Sequence, residues 1–99
     1  MAQRILAPTT AAAFTTPFVV QTERVVTAIQ TGLAGAELAA LEISPDSGQT
    51  WIAVLIAGVA PNLNVANPSR RVEDVGLYRY NKGASVAAAA IYVATEENQ

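Results

Sequence analysis

Few side chains in these 99 residues are suited to chemistry. The chain has neither Cys nor His, which removes thiolate nucleophiles, disulfides, the usual zinc ligands and the commonest general base. Two pairs of adjacent acids remain, Glu73-Asp74 and Glu96-Glu97, and paired carboxylates are the tools of acid/base catalysis. Strand neighbours point to opposite faces, however, and adjacent acids in a tail are ordinarily solvated, so neither pair reads as catalytic. Tyr78 and Tyr80 share one face of a strand, with Arg79 on the other. They suit either a stacking platform for a ring-shaped ligand or packing in a core or interface. Arg70-Arg71 could grip an acidic partner, or could be the charges with which an edge strand deters pairing. No catalytic residue, metal site or cofactor is expected.

One stretch has polar residues at defined spacing: "SPDSGQTW", from Ser44 to Trp51. Asp46 can accept bonds from the backbone amides that follow it, and Gly48 can take the positive φ of a tight return. Ser44 caps the turn from the other side. Thr50 starts the next strand, and Trp51 supplies an apolar body that pins the hairpin to its sheet. The stretch resembles the Asp-box, the β-hairpin signature of sialidase-type propellers. In that family the motif generally lies away from the catalytic centre, so the resemblance implies a structural turn. A propeller needs at least four blades of four strands, which 99 residues cannot supply.

The elements around these residues read as strands. Runs of five to ten β-branched or apolar residues are separated by Gly, Pro, Asn and Asp clusters, giving about seven strands and an all-β fold, a small antiparallel β-sandwich or open barrel. Leu33 to Glu42 and Ala84 to Ala94 are rich in helix formers, yet the glycines in the first and Val86, Ile91, Tyr92 and Val93 in the second favour strand. Residues 1–17 are an extended N-terminal arm of Ala, Thr and Pro, and 18–99 are the sandwich domain. Ile5 to Ala7 is too short for a signal-peptide core. The arm is expected to reach a neighbouring subunit or the underlying shell, burying Ile5, Leu6, Phe14 and Phe18, with folding onto its own sheet as the alternative.

Only 14% of residues are charged while 52% are hydrophobic, with a net charge of −2. Basic residues are scattered, so nucleic acid is not an expected partner. No run reaches the roughly 18 apolar residues of a membrane span, and a membrane is not expected either. Trp51 to Ala57 is apolar at every position, so that, as a strand, Ile52, Val54 and Ile56 face one way and Trp51, Ala53, Leu55 and Ala57 the other. Ala84 to Ala94 behaves likewise. A strand of this kind needs cover on both faces, and a small sandwich has no third layer. Neighbouring subunits are the expected cover, with Ile52, Val54, Ile56, Tyr78 and Tyr80 as interface residues.

The order of parts is an Ala/Thr/Pro arm, a strand pair, "GLAGAEL", the single "SPDSGQTW" hairpin, an Asn/Pro loop, "VGLYRYNKG" and a closing strand. From Val19 to Thr95 this is similar to small β-sandwich virion proteins of tailed bacteriophages, capsid decoration (cement) proteins and head-fibre or tail components among them. The resemblance implies a non-enzymatic protein that stabilises a subunit lattice as a homo-oligomer, often a trimer. Its partner would be the major capsid protein or another virion protein, and its place the virion, after synthesis in the host cytoplasm. The alternative is a carbohydrate-binding β-sandwich with Trp51, Tyr78 and Tyr80 as stacking rings.

Overall fold

Alternating burial marks β-strands such as Arg24–Thr31 and Gly76–Lys82, and a computed structural model describing residues 2–97 contains no helix among them. The strands are β1 (Ala2–Thr9), β2 (Ala13–Phe14), β3 (Phe18–Val20), β4 (Arg24–Thr31), β5 (Leu38–Ser44), β6 (Ile52–Ala53), β7 (Leu63–Asn64), β8 (Ser69–Val72), β9 (Gly76–Lys82) and β10 (Ala89–Glu97). They form two antiparallel sheets, one ordered β1-β10-β4-β8 and the other β2-β9-β5-β6, with β3 also on β9 and β7 also on β5. The fold is the expected all-β sandwich, and the strand number exceeds seven because several strands are only two or three residues long. The side chains of Glu96 and Glu97, one of the two acid pairs, lie outside the described residues.

The core lies between the sheets. From the six-stranded sheet come Phe18, Val20, Leu41, Leu63, Tyr78 and Tyr80, and from the other Ile5, Val26, Ala28, Val72, Ile91 and Val93. Phe18 stacks on both tyrosines, at 5.9 Å from the Tyr78 ring and 6.0 Å from the Tyr80 ring. Gln30 ties the layers at one end: its Nε2 donates to the Asn64 carbonyl at 3.1 Å and its Oε1 accepts the Leu33 amide at 3.0 Å.

Three expectations are corrected by this arrangement. Ile5, Phe18, Tyr78 and Tyr80 are core residues of their own chain, not interface residues, because β1, β3 and β9 turn them between the sheets. Leu6 packs partly buried against the same core. The N-terminal segment lies on its own sheets: β1 pairs with β10 from Ala2↔Ala94 to Thr9↔Ala89, and β2 pairs with β9. Finally, the apolar run Ala84 to Ala94 is not one doubly apolar strand. Its strand begins at Ala89, sits between β1 and β4, and turns Ala89, Ile91 and Val93 into the core, while Ala90, Tyr92 and Ala94 alternate onto the other face of the sheet.

Candidate functional site

The "SPDSGQTW" turn closes on itself. Ser44 Oγ accepts the Gly48 amide at 2.7 Å and donates to Asp46 Oδ1 at 3.0 Å, and that oxygen accepts the Thr50 amide at 2.7 Å. Ser47 and Gly48, at φ 62° and 95°, make the reversal. Trp51 Nε1 donates to the Gly48 carbonyl at 3.1 Å. Hydrogen bonds from Thr50, its side chain first and its amide second, hold the Asp46 carboxyl below the usual range. Ser44, Asp46 and Trp51 therefore bond to the turn itself, and the sequence from Thr50 onward is delivered to β6.

Outside the six-stranded sheet the turn is clasped to its neighbours. Glu42 and Arg79 are directly paired in register, with Arg79 Nε donating to Glu42 Oε1 at 2.7 Å. The guanidinium lies 3.8 Å from the Phe14 ring centroid and 4.4 Å from that of Trp51. Cation–π contact thus joins β2, β9 and the turn. Trp51 is on the face opposite Tyr78 and Tyr80, which alternate with Arg79 along β9 and point inward, so the three rings of a sugar-stacking platform are not brought together. Burial pushes both buried phenols up, aided at Tyr78 by the neighbouring Asp74 charge and opposed at Tyr80 by Arg70.

After the turn, the apolar run departs from the expected strand. Only Ile52 and Ala53 pair with β5, and the Val54 amide adds one bond to the Leu41 carbonyl at 3.0 Å. The chain then reverses through Ala57 and Gly58, at φ 52° and 81°, while Ile56 and Val59 exchange backbone bonds of 2.8 and 3.0 Å. Positive φ at both central residues is the type I′ geometry of two-residue hairpins. Among the described residues no third strand covers this projection: Ile52 is 54% exposed, Leu55 62%, Ile56 57% and Val59 65%, whereas Val54 packs against the core. Between the hairpin and β8 runs a groove of about 220 Å³ whose floor includes Leu41, Val54, Val72 and Tyr78 and whose rim carries Arg71, Glu73 and Asp74. Arg70, by contrast, turns its Nε to the Asn62 carbonyl at 3.2 Å, so the adjacent arginines serve opposite faces.

A second apolar surface forms one end of the sandwich. A shallow groove of about 560 Å³ is lined by Ala34 to Leu38 and by Gly83, Ala84 and Val86, and a smaller hollow beside it adds Asn64 to Ala66. Among the described residues Glu37 is the sole ionisable one in either lining, and both its oxygens are engaged: Oε1 accepts the Ala34 amide at 2.8 Å and Oε2 the Val86 amide at 2.9 Å. Lys82, beside this end, is fully buried and donates to the Ala11 and Gly83 carbonyls, both at 2.9 Å. Both charges are spent on internal backbone, and Val65 and Val86 stand 52% and 90% exposed.

Val59 and Val65 were not singled out in the sequence, and Leu55 and Val86 were read only as strand residues. The available signal was the absence of any charge between Asp46 and Arg70, which marks an unusually long uncharged surface once the segment is known to project. Compared with protein families, with curated proteins and with solved structures, the chain finds no match.

Proposed function

We propose that the chain is a non-enzymatic structural protein of a tailed-bacteriophage virion, a capsid decoration (cement) protein that docks on a lattice of protein subunits. The observation that carries this reading is the end of the sandwich around Val86. Lys82 is fully buried and both Glu37 carboxylate oxygens accept backbone amides, so docking a protein there leaves neither charge without a partner, which lowers the cost of burying a charged surface. Val86, fully covered, contributes about 1.5–3 kcal/mol per copy, and a repeating lattice multiplies that contribution through many copies. The phage assignment itself rests on the order of parts from Val19 to Thr95 and its similarity to small virion sandwiches.

The test is imaging of particles from the phage or prophage that encodes the chain. The chain should occupy fixed symmetry positions, with the end carrying Leu38, Val65 and Val86 against the shell or tail. Particles that lack it, with the chain found only free, contradict the reading.

A further inference from the structure

The apolar hairpin is a different surface and calls for a different partner. At the tip Ile56 and Val59 spend their backbone groups on each other, so no long edge is offered to an added strand and association falls to the side chains. The sheet edges nearby are short, β6 with two residues and β8 with four, which also argues against strand addition. What the surface offers is an uncharged ridge, Leu55 and Ile56 with Val59 behind them, and beside it a rim bearing both signs of charge.

That rim identifies the partner. Arg71, Glu73 and Asp74 are exposed and none makes an ion pair among the described residues. Opposite charges that close together, each left without a partner in the chain, are complementary to a copy of themselves turned by a twofold axis. In an isologous contact, residue i meets j and j meets i, so Arg71 of each copy meets Glu73 or Asp74 of the other. We infer that the hairpin and the β8 rim form a twofold contact between two copies of this chain, with the Leu55–Ile56 ridges packed against each other at its centre. The apolar ridge alone is a patch of a few hundred Å² at most, short of the roughly 800 Å² per partner of a stable interface, so the charged rim must be included. The inference rests on the reading of the chain as an assembling structural protein, and it names the self-contact within that assembly, in place of the trimer implied by the resemblance.

Charge reversal tests it without touching the core. Sedimentation equilibrium is run on the wild type, on Arg71→Glu, on Glu73→Arg combined with Asp74→Arg, and on an equimolar mixture of the two variants, with thermal melting to verify that each is folded. The wild type should dimerise in the micromolar range, each variant alone should associate at least about tenfold more weakly (about 1.4 kcal/mol), and the mixture should recover the wild-type affinity because opposite charges again face each other at both contacts. Ile56→Asp should also be monomeric while melting as the wild type does. A monomeric wild type, a trimer, or variants that self-associate as before would overturn the twofold contact. So would a mixture no better than its components. Retained particle binding by a chain that proves monomeric would sink this inference alone, whereas an intact dimer that never occupies particles would sink the virion reading alone.

Discussion

Glu37 accepts the Val86 amide at 2.9 Å across 49 residues of sequence, and this bond holds the Val86 side chain 90% exposed at the end of the sandwich. Among the described residues, the one carboxylate at this end is thereby used to fix the loop that presents an apolar side chain. Lys82 does the same from the interior, with its ammonium on the carbonyls of Ala11 and Gly83. The surface on which the proposed function rests is thus a product of internal hydrogen bonding, and the positions of three loops depend on it.

Gly32 is predicted to be the least tolerant glycine of that region. At φ +97° it lets the β4–β5 loop press on β10, where an added Cβ would stand 2.4 Å from the Ala88 carbonyl oxygen and 2.9 Å from Ala89 Cα. Both obstacles are backbone, so neither can rotate away. Gly32→Ala should destabilise by roughly 2–5 kcal/mol, from strained φ and overlap together. Chemical denaturation checks this, and a midpoint unchanged from the wild type contradicts the close approach.

Deleting residues 1–16 should abolish cooperative folding. The deletion removes β1 from the side of β10 and β2 from β9, and takes Ile5 out of the core, a loss of about 1.5–3 kcal/mol for that side chain alone. Lys82 also loses its bond to Ala11. Circular dichroism on heating decides the matter: a truncated chain that melts at the wild-type temperature would show the segment to be a passive arm after all.

Alkaline pH should unfold the protein through its buried phenols. Tyr78 and Tyr80 both have folded pKa values raised above the ordinary 10.0, burial being the leading cause. The unfolded chain therefore loses these protons first, so stability is full below about pH 10 and declines as pH rises from there toward the folded values. Tyrosinate absorbance for these two rings should appear together with loss of structure. Ionisation of all three tyrosines in a still-folded protein would contradict their burial.

How much of this was legible depended on whether the cause was local. Ser44, Asp46 and Gly48 could be assigned to a turn from sequence because their partners lie within four residues. The strand alternation of Tyr78, Arg79 and Tyr80 was equally legible, but which face lay inside was not, since that is set by the opposite sheet and by Phe18. The fate of Trp51 to Ala57 was hidden for another reason. A covered strand and an exposed hairpin have the same apolar composition, and the reversal falls at Ala57-Gly58, where Ala at φ 52° is not a residue that announces a turn. The N-terminal pairing was hidden because Ala2↔Ala94 spans nearly the whole chain. The Glu37–Val86 bond joins loops 49 residues apart, and nothing local marks either partner.

The most direct test of the central claim uses the absence of cysteine from the chain, which makes Val86→Cys a unique reporter. Its alkylation rate is compared in the free protein and in the particle-bound state, with Thr22→Cys, exposed in the β3–β4 turn, as the control. The account predicts that the thiol at position 86 reacts as an exposed thiol in the free protein and is strongly protected once the chain is bound, while the control reacts alike in both states. Equal reactivity of position 86 in the two states would contradict the claim that this end of the sandwich is the docking surface.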